Sequence, residues 1–298
     1  MNERFLEYLK KAEVEYGEFF DLSQLSYIRI GAVAECIVYP CNTDELIDVI
    51  KVTNELSLRH IVVGRMSNIL FKNRVYNGVV ITTDRIKHKN VVNSSIKLDT
   101  GCFLPPIARQ LAKCGLGGFE GLLGIPGSIG GMIRQNAGAF GYSISDRFVC
   151  AEVYDYESDQ ITTLPYEEMQ FGYRKSILCS RDTVLLNATF DLLPKAEDEF
   201  CREVSEYADA RRRAQPTDQF SLGSVFKRCD GISAGYYIDL LGLKGFTVGG
   251  ARVSTKHAGF IVNTGVATAD DVLRVIEIIK SKVFDEFGIA LEEEIEII

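Results

Sequence analysis

The sequence predicts an α+β protein in three parts, and three observations support this prediction. A β-α-β order over residues 35–81 indicates a small layered domain. Short strands dominate residues 96–193, and the polar stretch 194–199 separates them from a third segment that ends in a well-marked helix. A chain of 298 residues is also too long for one small hydrophobic core, so two or three domains are expected.

The first part begins with a short predicted helix and continues with the β-α-β unit. The first residues carry apolar positions at Phe5, Leu6 and Leu9, which predicts a short helix to about Gly17. Asn42, followed three residues later by Glu45, is typical of a helix N-terminus. Strands are predicted at residues 35–39, 61–63, 69–71 and 79–81.

The second and third parts carry strands and then helices. Strands are predicted at residues 148–154 and 183–192, and a helix at residues 200–213. Thr268, with Asp271 three residues later, predicts the start of the last helix, and Gly288 predicts its end. A final strand is predicted at residues 289–298, which carry the glutamates Glu292, Glu293, Glu294 and Glu296.

Composition excludes several classes of function. The net charge of −8 argues against a surface for nucleic acid or anionic membrane, and no run of 18 apolar residues is present. Eight cysteines are scattered without a C-x-x-C pair, and only three histidines accompany them. We therefore expect no metal site, reduced thiols and a cytoplasmic protein without a membrane partner.

Ten of the 26 glycines lie between Gly115 and Gly141. Glycine lets main-chain amides approach a ligand closely, and the amides around residues 126–131 with Ser128 and Asn136 suit a diphosphate or a polarised carbonyl. The spacing matches neither the Rossmann nor the Walker pattern. The alternative is a glycine-rich bend between close-packed strands, and we favour the ligand cradle.

Four further segments are polar and punctuated by glycine. Residues 64–68 follow a strand and are either a ligand turn or a simple turn, and residues 171–176 are either a cationic site or a solvated turn. In residues 221–228 a glycine precedes Ser224, which is either a proton donor or a plain strand residue. Residues 249–263 contain His257, for which a structural role is the more common one.

Two charged clusters have simple structural explanations. Arg211, Arg212 and Arg213 are explained by the charged end of a helix, and the glutamates of residues 292–296 by the solvated face of an edge strand.

Taken together, these segments resemble the UDP-N-acetylenolpyruvoylglucosamine reductase family, the FAD enzymes of early peptidoglycan synthesis. The resemblance runs from about Ser26 through residue 298 in the family's order. Its most specific pieces are residues 124–131 with 136–139, 173–174, 223–226, and 254–257 with Asn263. No long insertion separates the parts, which resembles the shorter subtype without the extra substrate-clamping loop.

The resemblance implies the vanillyl-alcohol-oxidase (PCMH-type) FAD-binding fold. Residues 1–83 and 84–195 would be the two FAD-binding subdomains, and residues 196–298 an α+β substrate-binding domain. It also implies an oxidoreductase in which NADPH reduces FAD and leaves. The enolpyruvyl ether of UDP-N-acetylglucosamine then takes the hydride and becomes UDP-N-acetylmuramate, which links the protein to cell wall biogenesis, cell shape and cell division. FAD should be non-covalent, since no histidine or cysteine falls at an obvious linking position.

Site residues carry over from the family by position. Ser224 would donate the proton, with Arg174 and Glu294 near the substrate carboxylate and Glu293 as the alternative to Glu294 if the register slips by one. The residues expected to bind FAD are Gly64, Arg65, Met66, Ser67, Asn68, Gly101, Gly124, Ile125, Pro126, Gly127, Ser128, Gly130, Gly131, Asn136, Ala137 and Gly138. The residues expected to bind the UDP-sugar are Tyr173, Lys227, Arg228, Lys256 and His257.

The sequence departs from the family's pattern mainly in the FAD motifs. The first motif, usually Ile-Gly-Gly-Pro-Ala, is Ile30-Gly-Ala-Val-Ala34, and Met66 replaces a glycine that is expected to have φ > 0. Residues 226–229 read Phe-Lys-Arg-Cys instead of Phe-Lys-Asn-Pro, and Arg134 and Gln135 stand where apolar residues are usual. The alternatives are an FAD-dependent oxidase of the same fold and a flavin-poor, non-catalytic sugar-nucleotide-binding relative. We expect a monomer, while the preference for NADPH over NADH stays open.

Overall fold

The computed structural model describes residues Met1–Ile298, which divide into two compact units. The first unit comprises Met1–Phe19, Glu35–Arg65 and Asn77–Asp209, and the second comprises Phe20–Ala34, Met66–Tyr76 and Ala210–Ile298. The helices are α1 (Glu3–Lys11), α2 (Thr43–Glu55), α3 (Leu104–Lys113), α4 (Ile129–Arg134), α5 (Glu197–Ala214), α6 (Ala234–Leu240) and α7 (Ala269–Phe287).

The strands are short and mostly antiparallel. In chain order they are β1 (Glu15–Asp21), β2 (Val33–Tyr39), β3 (His60–Val63), β4 (Ile69–Leu70), β5 (Val75–Thr82), β6 (Lys89–Val92), β7 (Ser95–Asp99), β8 (Leu116–Gly117), β9 (Gly138–Ala139), β10 (Tyr142–Ser143), β11 (Phe148–Asp155), β12 (Gln160–Pro165), β13 (Thr183–Asp191), β14 (Leu193–Pro194), β15 (Phe220–Ser224), β16 (Thr247–Val248), β17 (Ala251–Val253), β18 (Phe260–Asn263) and β19 (Glu296–Ile297).

The first unit contains two main sheets. One has the order β1-β2-β5-β3, with β3 and β5 parallel, and it packs with α1 and α2 around a core that includes Phe5, Leu46 and Val79. The other is antiparallel with the order β12-β11-β13-β7-β6, and its core includes Leu98 and Phe190. The predicted capping of α2 is confirmed, because Asn42 Oδ1 accepts from the Glu45 N–H at 2.9 Å.

The second unit is built around the antiparallel sheet β15-β18-β17-β16, with α6 and α7 packed on one face. The predicted start of α7 is confirmed, since the Thr268 hydroxyl accepts from the Asp271 N–H and the Asp271 carboxylate accepts from the Thr268 N–H. Gly288, with φ of 68°, ends the helix as predicted.

Two sequence predictions of local structure were wrong. The first helix ends at Lys11, Glu13 takes the left-handed conformation (φ 55°), and the chain continues as β1 rather than as more helix. The predicted strand over residues 289–298 is regular only at β19. The division into residues 1–83, 84–195 and 196–298 stays a prediction. The two main sheets of the first unit lie in the first two of these three predicted parts. Residues 20–34 and 66–76, however, group with the second unit.

Candidate functional site

Two of the predicted flavin segments meet in the first unit. Gly64 follows β3, and a Cβ atom there would overlap the Ser128 hydroxyl. Ser128 is the N-cap of α4, and its hydroxyl accepts from the Gly131 N–H at 3.4 Å. Glycine at position 64 is therefore required by a close approach between main chain and side chain.

The start of α4 lies against the chain that follows β7. A Cβ atom on Gly130 would overlap the Thr100 hydroxyl, and one on Gly101 would overlap the Thr83 carbonyl oxygen. The Gly130 N–H donates to the Thr100 carbonyl at 2.8 Å, and the Ile129 N–H donates to the Cys102 carbonyl at 2.9 Å. These two amides of the predicted cradle are thus engaged by residues 100–102 and are not available to a ligand.

Asn136 holds a strained position next to the glycine-rich stretch. Its φ is 39°, its Nδ2 donates to the Gly172 carbonyl at 3.0 Å, and its Oδ1 is buried without a hydrogen-bond partner. A buried acceptor without a partner costs about 1–3 kcal/mol, so it suits a ligand that brings a donor.

Arg174 is attached to the same segment. Its φ is 52°, and its Nη2 donates to the Gly138 carbonyl at 3.2 Å. The guanidinium also lies 5.3 Å from the ring centroid of Tyr173, whose surface is 52% exposed. The hydrogen bond to Gly138 therefore holds the Arg174 side chain beside residues 136–138, and the Tyr173 ring orients its guanidinium.

The turn after β3 contains the residue that departs most from the family. Met66 has φ of 45°, which confirms the predicted positive φ, and its side chain is only 3% exposed. The preceding Arg65 stacks over Phe103 at 4.2 Å and lies 3.9 Å from an Asp84 carboxylate oxygen.

Ser224 ends β15 in the second unit. Gly223 has φ of 81°, so the glycine provides the conformational freedom that the sequence predicted. Ser224 pairs with Phe260 across the sheet, and the Val225 N–H donates to the Gly259 carbonyl at 2.9 Å. These bonds hold the serine on a fixed strand end.

The segment after Ser224 pairs with the late glutamates. The Lys227 N–H donates to the Glu292 carbonyl at 2.9 Å, and the Glu294 N–H donates to the Val225 carbonyl at 2.7 Å. Phe226 lies opposite Glu293 in this short antiparallel contact. Residues 224–227 and 292–294 therefore lie side by side. Asn68, which is 226 positions before Glu294, also contacts the Glu294 carbonyl.

Two of the glutamates have identified lysine partners. Lys227 pairs with Glu292 at 3.2 Å, and Lys280 of α7 contacts both carboxylate oxygens of Glu293 at 2.8 and 3.1 Å. The Lys280 partner was not predicted, since nothing in the local sequence pattern indicates a pair between a helix and a distant extended segment.

The other residues expected at the substrate make contacts within the protein. Lys256 Nζ donates to the Arg212 carbonyl in the last turn of α5, and Arg228 Nη1 donates to the Gly231 carbonyl at 3.4 Å. His257 Nδ1 accepts from the Gly259 N–H at 3.1 Å and its ring packs on Phe260, while burial lowers the pKa of the imidazole. His257 is thus neutral near pH 7 and anchored in the loop between β17 and β18.

Three negative findings complete the description. No group of three or more His, Cys, Asp or Glu residues lies together in a way that could hold a metal ion. None of the helices combines the length and the apolar character that crossing a membrane requires. A cavity of about 260 Å³ in the first unit, bordered by Glu120, Tyr142, Arg147 and Lys195, contains none of the predicted site residues.

Two protein-family models match separate parts of this chain, and full-length relatives match almost all of it. The family described as UDP-N-acetylenolpyruvoylglucosamine reductase, C-terminal domain, matches residues 215–298, and the family described as FAD binding domain matches residues 34–163. A UDP-N-acetylenolpyruvoylglucosamine reductase of Caldicellulosiruptor saccharolyticus is 40% identical over 292 residues, which are 97% of this chain and 94% of the relative.

Two further relatives agree with this one. The reductase of Clostridioides difficile is 37% identical over 294 residues, 98% of this chain and 96% of the relative. The crystal structure of the UDP-N-acetylenolpyruvylglucosamine reductase from Thermus caldophilus matches with a TM-score of 0.80 at 32% identity, covering 95% of this chain and 98% of that one.

Proposed function

The chain belongs to the UDP-N-acetylenolpyruvoylglucosamine reductase family, and from this premise we propose its reaction and the roles of its residues. The protein is an FAD-dependent oxidoreductase that uses NADPH to reduce the enolpyruvyl ether of UDP-N-acetylglucosamine to UDP-N-acetylmuramate, a step of peptidoglycan precursor synthesis. The predictions of family, of the FAD-binding α+β fold and of the enzyme class are confirmed. The reductase names of the relatives favour this reaction over the oxidase alternative.

The residues present fit FAD. Gly64, Gly101 and Gly130 each stand where a side chain would collide with neighbouring chain, so these glycines keep the main chain of the three segments close-packed. The unpaired Oδ1 of Asn136 offers an acceptor to it. We assign FAD binding to the turn at residues 64–68, to Gly101, to residues 124–128 with Gly130 and Gly131, and to residues 136–138. When bound, FAD supplies the hydride relay from NADPH to the enolpyruvyl double bond.

Three residues act on the substrate in this proposal. Arg174 carries a permanent cation with forked donors, which suits the substrate carboxylate as negative charge spreads onto it. Glu294 lies near that carboxylate. Ser224 donates a proton from its hydroxyl oxygen to the enolate carbon, in the manner of a general acid. The observation that carries the assignment is the pairing of residues 224–227 with residues 292–294, which supports Ser224 and Glu294 as members of one site.

The choice of Glu294 over Glu293 is supported by ion pairing. Lys280 holds both oxygens of the Glu293 carboxylate, so Glu293 has a structural role on the side of α7. Because Lys280 engages the Glu293 carboxylate, we propose Glu294 as the functional carboxylate.

Substrate contacts of Tyr173, Lys227, Arg228, Lys256 and His257 remain part of the proposal. Tyr173 is the best supported, because it is half exposed and orients Arg174. We also propose a cytoplasmic monomer without a nucleic-acid partner. Its eight cysteines are all free thiols, and its net charge is −8.

The test uses the purified protein under anaerobic conditions. NADPH should bleach the yellow flavin, and the enolpyruvyl ether of UDP-N-acetylglucosamine should restore its colour. Denaturation should release FAD into solution. Recovery by oxygen alone, without response to the ether, would establish the oxidase alternative, and a colourless protein that binds UDP-sugars would establish the non-catalytic one.

A further inference from the structure

We propose that Asn68 is a positioning residue for the catalytic carboxylate Glu294. The proposal rests on the function proposed above. Asn68 Nδ2 donates a hydrogen bond of 2.9 Å to the Glu294 main-chain carbonyl, although 226 positions separate the two residues. The family resemblance assigned Asn68 to the flavin pyrophosphate turn alone, and the observed use of its amide nitrogen adds a role in the other half of the reaction.

This bond completes a clamp on Glu294. The Glu294 N–H donates to the Val225 carbonyl at 2.7 Å, next to the proton donor Ser224. Its carbonyl accepts from Asn68. Both main-chain groups of Glu294 therefore form hydrogen bonds, the N–H with the segment of Ser224 and the carbonyl with the Asn68 side chain. Together the two bonds position the main chain of Glu294.

The attachment of the turn continues beyond the side chain. The Glu296 N–H donates to the Asn68 carbonyl at 2.8 Å, and the Ile298 N–H donates to the Leu70 carbonyl at 2.9 Å. These bonds form the parallel pair of β4 and β19. The turn at residues 66–68 is thus attached both to Glu294 and to the strand β19 that begins two residues after it.

Two substitutions separate the hydrogen bond from the shape of the side chain. Asn68→Asp keeps the size but replaces the donor with an oxygen that faces the Glu294 carbonyl. Asn68→Gln keeps an amide donor on a longer side chain. Misplacement of a catalytic group by about 1 Å can cost roughly 10²-fold in rate. We expect Asn68→Asp to slow flavin reoxidation by the enolpyruvyl ether roughly 10²-fold at saturating ether, with little change in KM. Asn68→Gln should recover part of that loss.

The experiment follows both half-reactions by stopped flow at saturating FAD. FAD affinity is measured separately by fluorescence quenching, so that lost cofactor is not mistaken for lost positioning. NADPH reduction of the flavin should be slowed much less than reoxidation in Asn68→Asp, and the measured FAD affinity shows how much of that slowing comes from the proposed flavin turn. Lys280→Gln is the matched control, because it releases the neighbouring Glu293 and leaves the Asn68 bond intact; its reoxidation rate should stay within about threefold of wild type, the range expected for a weak, partly exposed ion pair.

Hydrogen exchange provides a readout that does not depend on activity. In the FAD-free protein, the amides of residues 294–298 should exchange roughly five- to tenfold faster in Asn68→Asp than in wild type, as expected for one lost hydrogen bond. Unchanged exchange together with unchanged reoxidation would overturn the proposal, as would equal slowing of both half-reactions. If wild type shows neither half-reaction while the exchange difference persists, the proposed function fails and the clamp stands.

Discussion

The residues proposed to bind FAD, called here the flavin region, and the segment around Ser224, called the Ser224 region, are built in opposite ways. The flavin region depends on main chain: Gly64 and Gly130 lie so close to neighbouring residues that a Cβ atom would overlap them. The Ser224 region depends on side chains that a short antiparallel contact places next to Glu294. In a region built from main chain, a side chain can be replaced wherever a Cβ atom has room. In a region built from functional groups, the residues that carry those groups cannot be replaced.

The altered first flavin motif illustrates this difference. Gly31 is retained, and a Cβ atom there would collide with the main chain of Leu22 and Ser23. Val33, which replaces the usual proline, is 37% exposed and meets no such limit. The motif has therefore kept the glycine for which a Cβ atom has no room. Of its two changed positions, Val33 is partly exposed and Ala32 is buried.

Replacing the functional group of the Ser224 region should produce the largest effect. Ser224→Ala should slow flavin reoxidation by the enolpyruvyl ether roughly 10²–10⁴-fold, the range for a general acid. NADPH reduction of the flavin should stay near wild type, and stopped-flow absorbance measures the two steps separately. Ser221→Ala, on the same strand, is the control. Equal slowing of both steps would show that Ser224 has a structural role. The Ser224 region would then not be built around a functional group.

Two adjacent glycines test the main-chain side of the comparison. Gly130→Ala places a Cβ atom against the Thr100 hydroxyl and 3.3 Å from its carbonyl, and Thr100 is too deeply buried to move aside. We expect a loss of about 1–3 kcal/mol in the free energy of unfolding of the apoprotein, as for overpacked cores. Gly131→Ala meets only the Ser128 hydroxyl at 3.6 Å and should be neutral or stabilise α4 by up to about 1 kcal/mol. Urea unfolding compares the two, and equal losses would show that spacing is not the cause.

Met66 tests whether a side chain can replace a glycine in the flavin region. Met66→Gly relieves the strain of a positive φ, about 1–3 kcal/mol, and removes a buried side chain whose loss costs about 2–5 kcal/mol. The burial outweighs the strain, so we expect a net loss of about 1.5 kcal/mol in the free energy of unfolding of the apoprotein. Met66→Ala keeps the strain and should lose more. A glycine variant more stable than wild type would mean that strain dominates.

The smallest effect is expected outside both regions, at the start of α7. The carboxylate of Asp271 accepts from the N–H groups of Thr268 and Gly250, and these bonds lower its pKa. Because the pKa of Asp271 is lower in the folded state, its charged carboxylate stabilises the fold fully above the ordinary pKa of aspartate. This stabilisation is lost as the pH falls through the lowered pKa of the folded state. Asp271→Ala should cost about 1 kcal/mol at pH 7, as for a lost helix cap, and almost nothing in acid. Asp270→Ala is the neighbouring control, and a pH-independent difference would contradict the assignment.

Local sequence patterns predicted the local features of this protein. The box at Thr268 and Asp271 and the end at Gly288 each depend on residues close in the chain, and the structure has both. The positive φ of Met66 was expected from the family resemblance, and the structure has it as well. The bond from Asn68 to Glu294 could not be predicted, because it depends on how β4 pairs with β19. The same holds for the amides of Ile129 and Gly130, which are occupied only because distant chain packs against them.

The pairing of β4 with β19 also has a consequence for biosynthesis. Asn68 leaves the ribosome 226 residues before Glu294, and synthesis proceeds at about 5–20 residues per second. For roughly 10–45 s the turn at residues 66–68 lacks the strand that stabilises it, and the exposed edge of β4 is available to other chains. Completion of the proposed flavin turn should therefore follow translation, and a chain truncated before β19 should aggregate more than the full chain.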